Sequence, residues 1–89
     1  MGEYNLYYIR NRQKNEVDFL VSRWREPWFL VEVKTGDMHL SPTLKRMQDA
    51  IGAKHAFQVV LNLPYEQIDC FTYNAPVVVP AKTFLSQLV

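Results

Sequence analysis

Length, composition and charge limit the chain to a few classes of protein. Its 89 residues are enough for one small domain with a single core. Hydrophobic residues make up 48% of the sequence, with three Gly and five Pro, which is typical of a folded globular chain. A net charge of +1 excludes the dense basic surface of a DNA-coating protein. The single cysteine excludes an intrachain disulfide and a zinc site built on thiolates.

The same sequence indicates where the protein resides. It contains no run of the roughly 18 consecutive apolar residues that a membrane span needs. The N-terminal residues lack the apolar core of a signal peptide. A lone cysteine fits a reducing compartment. We therefore expect a soluble, cytoplasmic protein without a membrane partner.

The N-terminal half predicts three β-strands, at residues 5–10, 16–24 and 28–34. The short links between them favour an antiparallel meander. Pro27 marks the break before the third strand, because proline cannot donate a hydrogen bond in mid-strand. A turn centred near Glu26 would place Asp18 opposite Lys34 and Leu20 opposite Glu32.

The middle of the chain predicts one amphipathic helix. Ser41 offers an N-cap oxygen, Pro42 has the backbone angle of a first helical turn, and Gly52 is the expected C-terminal stop. Apolar residues recur at helical spacing on one side. They are Leu40, Leu44, Met47 and Ile51, while Lys45, Arg46, Gln48 and Asp49 should point elsewhere.

The last third of the sequence completes an α/β pattern. Residues 56–61 form an apolar run typical of a buried strand. A strand, a helix and a buried strand in that order predict a right-handed crossover, with the fourth strand parallel to the third. A further strand is expected at 68–73. Pro80 should open a terminal helix with Phe84, Leu85 and Leu88 packed inward.

Acidic side chains fall on one face of two neighbouring predicted strands. Alternation puts Glu16 and Asp18 on one face of the second strand. On the third strand the residues that share a face are Trp28, Leu30, Glu32 and Lys34. The opposite faces are uniformly apolar and carry Val17, Phe19, Val21, Phe29, Val31 and Val33. Burial of those apolar faces would fix the register and bring the acids together.

This arrangement has the parts of a phosphodiester-cleaving site. Asp18 and Glu32 would be diagonal neighbours, about 7–8 Å apart at the backbone, and could hold one Mg²⁺ or Mn²⁺ between them. Lys34 could orient the attacking water or stabilise the phosphorus centre. Glu16 is an accessory candidate that could contact a ligand or help to place a second ion. Alternatively, Asp18 and Lys34 could form an ordinary exposed ion pair.

The motifs resemble those of a known superfamily. The E-V-D-F run at 16–19 and the E-V-K-T-G run at 32–36 are similar to motifs II and III of the PD-(D/E)XK nucleases. More narrowly, three further segments resemble the uncharacterised C-terminal domain that commonly follows an AAA-type ATPase in bacteria and archaea. These are L-Y-Y-I-R at 6–10, S-P-T-L-K at 41–45 and V-P at 79–80.

The resemblance implies a fold and a set of roles. The fold would be a restriction-endonuclease-like mixed sheet with the core order αβββαβ. Asp18 and Glu32 would be metal ligands, with the backbone carbonyl of Val33 as a third, and Lys34 the catalytic lysine. The cofactor would be Mg²⁺ or Mn²⁺, the substrate DNA, and the partner an ATPase domain of the same parent chain.

Two departures from the superfamily pattern stand out. The usual first helix is missing, which leaves βββαβ followed by a C-terminal helix. No G-x-x-x-x-G-K-[ST] phosphate loop occurs, so this chain is not itself an ATPase. Residues 1–89 are therefore expected to be one nuclease-like domain, the C-terminal fragment of a longer ATPase protein. A homodimer could cover the face that the missing helix leaves open.

Three functions remain open at this point: a metal-dependent DNA nuclease, a non-catalytic nuclease-fold module that binds DNA or protein, and an oligomerisation domain. The other chemically interesting residues favour structural roles. His39 and His55 have no Cys or His partner at metal spacing. Trp24 and Trp28 could stack on bases but favour packing or turn anchoring. Cys70 is expected in the core.

Overall fold

The computed structural model describes residues 4–8, 18–36 and 38–88. Their elements are β1 (Tyr4–Tyr8), β2 (Phe19–Arg23), β3 (Glu26–Lys34), α1 (Pro42–Ile51), β4 (His55–Val60), β5 (Val77–Pro80) and α2 (Ala81–Ser86), with a 3-10 turn at Cys70–Thr72 between β4 and β5. This confirms the α/β class and the C-terminal helix. Across these ranges, none of the helices is both long enough and apolar enough to cross a lipid bilayer.

The strands form one mixed sheet in the order β1-β2-β3-β4-β5. The first three pair antiparallel, as the meander predicted. The pairs β3–β4 and β4–β5 are parallel, so the predicted parallel pairing of the third and fourth strands, which α1 connects, is confirmed. Its consequence is that the C-terminal ends of β3, β4 and β5 meet at one edge of the sheet.

The sheet is packed on both faces of its central strands. Leu30 and Ala56 lie beneath Leu44 of α1 on one face. Phe29 and Phe57 lie on the other, against the Phe84 side of α2 and the 3-10 turn. Strands buried on both faces are nearly continuous in apolar residues, which is why β4 shows no alternation.

The β2–β3 hairpin differs from the prediction. Trp24 and Arg25 form the turn, with φ of 53° and 66°, and Glu26 already belongs to β3. Leu20 is therefore opposite Leu30, and the predicted Leu20–Glu32 and Asp18–Lys34 pairs are wrong. Two consecutive left-handed residues give a tight turn that matches the twist of the strands. Pro27 is accommodated because the ladder is irregular beside it.

That irregularity is a β-bulge at Trp28. Val21 pairs with Phe29 while Ser22 pairs with Pro27, so Trp28 is an extra residue on β3. The bulge interrupts the two-residue alternation. Trp28 consequently packs on Phe29 and stacks on Phe71, at centroid distances of 5.0 and 5.1 Å, and the prediction that it shares the Leu30 face is wrong.

Helix α1 ends as predicted, but the side chains of Ser41 and Gln48 differ from the prediction. Gly52 follows the helix at φ 80° and its amide bonds to the carbonyl of Gln48. Ser41 holds the N-cap position without a side-chain cap bond. Gln48 points inward, not outward, since its Nε2 donates to the carbonyls of Ala53 and Asn74. Those loop carbonyls need a donor that no apolar side chain could supply.

The C-terminal third also departs from expectation. No strand forms at 68–73, because the Thr72 hydroxyl donates to the Asp69 carbonyl at 2.8 Å and closes a 3-10 turn. The strand lies later, in the β-branched run of β5. Helix α2 is six residues long and buries Phe84, whereas Leu85 and Leu88 are exposed.

Cys70 is buried in the core, as predicted, and we expect it to be unreactive. Burial raises the pKa of its thiol, and the Asp69 carboxylate raises that pKa further. Thiol reagents at about pH 8 should label the chain only after denaturation. The unfolded thiol ionises near pH 8.5, so the free energy of unfolding should fall as the pH rises above that value. Rapid labelling of the folded chain would contradict this.

Candidate active site

Asp18 lies at the entry to β2 and is exposed. Its backbone amide donates to the Val31 carbonyl at 2.9 Å. Its side-chain Oδ2 accepts a hydrogen bond from the Val33 amide at 2.6 Å. The carboxylate thus pairs with a backbone amide of β3. The Asp18 carboxylate is therefore held beside the backbone of Val33, the residue that separates Glu32 from Lys34 in the sequence.

Glu32 and Lys34 share one face of β3 with Leu30. The Glu32 side chain is completely buried, while that of Lys34 keeps 20% of its surface exposed. Lys34 Nζ lies 3.1 Å from Glu32 Oε2. The Lys34 side chain therefore contacts the buried Glu32 carboxylate while part of it remains at the protein surface. The structure therefore places Asp18, at the entry to β2, beside the C-terminal end of β3, which carries Glu32 and Lys34.

Gln58 is a component of this region that the sequence interpretation missed. It is the β4 partner of Glu32 and is fully buried beside it. Its Oε1 accepts from the Ser41 amide at 2.9 Å and its Nε2 donates to the His39 carbonyl at 2.8 Å. Gln58 thereby fixes the segment that leads from β3 into α1. The sequence signal was one polar residue in the apolar run at 56–61.

The backbone at this end of β3 is well fixed. The Leu61 amide donates to the Lys34 carbonyl, and the Asn62 amide to that of Thr35, both at 2.9 Å. In a strand, the amide and the carbonyl of one residue point to the same side. The Val33 carbonyl therefore points toward the β2 side, as its amide does. The site lies where parallel strands end, which is where ligands bind in open α/β sheets.

The oxygen atoms at this site suit a hard cation, although their present arrangement does not form a complete set of metal ligands. Carboxylates of Asp18 and Glu32 and the carbonyl of Val33 are the oxygen ligands that Mg²⁺ and Mn²⁺ prefer. Among the residues that the structure describes, no group of three or more His, Cys, Asp or Glu side chains could hold a metal. Glu32 is in contact with Lys34, so binding would require the ammonium to move aside. Glu16, the accessory candidate, lies outside the described residues.

The two histidines have the structural or surface settings that were expected. His55 Nδ1 contacts the Tyr73 carbonyl at 2.6 Å, which makes that nitrogen the donor. Its ring packs on Phe57 and Phe71. His39 is exposed and its carbonyl accepts from Gln58. Neither imidazole is placed with Cys, Asp or Glu in a metal-binding group within the described ranges.

Comparison with known protein families identifies a match over most of the chain. The model of a family described as a domain of unknown function (DUF4143) covers residues 1–84, nearly the whole chain. Searches of curated proteins and of solved structures returned no match.

Proposed function

The chain belongs to the DUF4143 family, and we propose that it hydrolyses phosphodiester bonds of DNA with the help of Mg²⁺ or Mn²⁺. One observation carries the proposal. The hydrogen bond from the Val33 amide holds the Asp18 carboxylate beside the backbone that connects Glu32 to Lys34. Two acids and an amine at the end of one strand are the groups that this reaction requires.

Each residue has a distinct task. Asp18, Glu32 and the Val33 carbonyl would hold the cation, which when bound neutralises negative charge that builds up on the phosphate. Lys34 would leave Glu32 as the cation arrives, because both compete for the same carboxylate oxygen. Its freed ammonium could then orient the attacking water or stabilise the equatorial phosphate oxygens.

In the absence of the cation, the Lys34 ammonium would act as its substitute. A fully buried carboxylate is costly without a nearby positive charge. The contact of 3.1 Å supplies that charge at Glu32. Exchange of ammonium for metal would keep Glu32 compensated throughout, so the site could load and unload its ion without unfolding.

The cellular context proposed for the domain depends on the sequence resemblance. The segments at 6–10, 41–45 and 79–80 resemble the domain that follows AAA-type ATPases. We therefore propose that this domain acts in the cytoplasm together with an ATPase domain of the same parent chain. The nuclease assignment within the PD-(D/E)XK superfamily is part of the same proposal.

A second candidate is a non-catalytic module that binds DNA, a protein or another copy of itself. The burial of Glu32 favours it, because a carboxylate with no solvent access is less available to an incoming ion. Strand β1 also favours it, since it lies at one end of the sheet order and exposes Tyr4, Leu6 and Tyr7. Binding without turnover would distinguish this module from an enzyme.

The decisive experiment is metal-dependent cleavage of plasmid DNA. We expect Asp18→Asn and Lys34→Met to lower the cleavage rate by about 100-fold or more. Asn keeps an oxygen that can accept from the Val33 amide, so Asp18→Asn should stay folded. Asp49→Asn is the matched control, because Asp49 is an exposed acid paired with Lys45 on α1. It should cleave at the wild-type rate.

Titration calorimetry with Mn²⁺ separates the remaining outcomes. Wild type should bind the ion and Asp18→Asn should bind it more weakly. Equal cleavage by wild type and both site variants would remove Asp18 and Lys34 from the mechanism. Mn²⁺ or DNA binding without any cleavage would favour the non-catalytic module instead.

A further inference from the structure

The tip of the β2–β3 hairpin is built from unusual residues. Trp24 and Arg25 both have positive φ, in the left-handed region. Side chains with a Cβ are strained there, and Asn-Gly is the pair that hairpins of this type favour. Strained backbone persists where something else selects the residue. The strain therefore raises the question of what Trp24 contributes.

Trp24 does not stabilise the fold by burying its indole. Trp24 has 64% of its surface exposed, the largest value among the exposed large hydrophobic residues that the structure describes. The Arg23 guanidinium lies 4.9 Å from the centroid of the Trp24 ring and 4.3 Å from that of Trp28. Arg23 is thus anchored on two indoles, one of which, Trp28, is partly buried against the core. Much of the Trp24 ring remains available to a ligand.

The charges around the ring indicate the kind of ligand. Arg25 lies in the turn, and a small cavity beside it is lined by Arg23 and Lys54. Glu26 is the one acidic residue among those that line this cavity. The cavity measures about 10 Å³, which is room for at most one water molecule. A small molecule has no pocket here. Recognition would have to use the open ring face and the surrounding cations.

We propose that this tip, composed of Arg23, Trp24, Arg25 and Lys54, is a docking site for an unpaired nucleic-acid strand. A base would stack on the exposed indole while the cations contact the flanking phosphates. A protein-binding hot spot would instead be surrounded by neutral residues that exclude water. Three cationic residues at or beside one turn, together with an exposed aromatic ring, favour a polyanion.

The tip and the candidate active site lie at opposite ends of β3. The strand has nine residues and so spans roughly 25–30 Å. One nucleic-acid molecule could therefore touch both, with an unpaired stretch on the tip. The docking site does not depend on hydrolysis, and it can be tested where no hydrolysis occurs.

The test is the anisotropy of fluorescein-labelled oligothymidine and oligouridine in EDTA, which removes every divalent ion. We expect wild type to bind and Trp24→Asn to bind about 5- to 100-fold more weakly, since stacking of one base is lost. Trp24→Phe should recover part of the affinity. Tyr65→Ser, which removes another exposed aromatic ring, is the matched control and should bind as wild type.

Thermal melting separates a binding role from a structural one. Asn tolerates positive φ, so Trp24→Asn should melt no lower than wild type. A wild-type chain that binds neither oligonucleotide, or equal binding by wild type and Trp24→Asn, overturns the proposal. So does a Trp24→Asn chain whose weaker binding is explained by partial unfolding. Loss of self-association with unchanged oligonucleotide binding would assign the tip to a protein contact. Preference between the two oligonucleotides identifies the strand as DNA or RNA.

Discussion

Replacing Gln58 by leucine should lower the free energy of unfolding by about 3 kcal/mol, although leucine is apolar and the site is fully buried. The Ser41 amide would lose its acceptor and the His39 carbonyl its donor. A buried polar group left without a partner costs about 1–3 kcal/mol. His39 is exposed, so water can satisfy part of its loss. Urea denaturation followed by circular dichroism measures the change.

Gln48→Leu is the matched control for this variant. Gln48 is also a buried glutamine, and its Nε2 donates to the carbonyls of Ala53 and Asn74 near the other end of α1. Both variants should lose stability. Only Gln58→Leu should also weaken Mn²⁺ binding, because only Gln58 lies beside Glu32. Equal effects of the two variants on Mn²⁺ affinity would show that Gln58 acts on the fold alone. An unchanged stability of Gln58→Leu would contradict its role in fixing the segment between β3 and α1.

The central part of the fold was predictable from periodicity. Residues 29–33 are apolar except for Glu32, helix α1 has a helical apolar stripe, and β4 is an apolar run. These patterns gave the α/β class, the meander and the parallel crossover. They work because β3 and β4 are buried on both faces, so that burial alone determines which residues occupy them.

The hairpin register could not be obtained in the same way. A turn made by Trp24 and Arg25 has no sequence signature, because neither residue favours positive φ. Pro27 is a strong breaker in a sequence, yet the ladder accommodates it next to the bulge at Trp28. Register depends on turn geometry, which in this chain contradicts local propensity.

The site was partly predictable for a related reason. Alternation places Glu32 and Lys34 on one face of the third strand whatever the hairpin register. It says nothing about the direction of side chains at strand ends. The bond from the Val33 amide to Asp18 and the bonds of Gln58 to the loop are side-chain-to-backbone contacts, which depend on where the ladder stops.

Lys34→Met should lower the free energy of unfolding by about 3–5 kcal/mol, because it leaves the fully buried Glu32 without the ammonium at 3.1 Å. Lys45→Met is the control. Lys45 pairs with Asp49 at the same distance, but both side chains are mostly exposed. An exposed pair of this kind contributes only about 0.3–0.5 kcal/mol. The two variants remove the same charge and differ in the burial of its partner.

Adding Glu32→Gln to Lys34→Met should restore most of the lost stability, since an amide of the same shape carries no charge that needs compensation. Urea denaturation of the two single variants and the double variant gives the coupling energy directly. A double variant as unstable as Lys34→Met would mean that lysine stabilises the fold through its packing. A double variant as stable as wild type, but unable to bind Mn²⁺, would mean that folding does not require the charged pair. The presence of the Glu32–Lys34 pair would then have to be explained by the chemistry of the site.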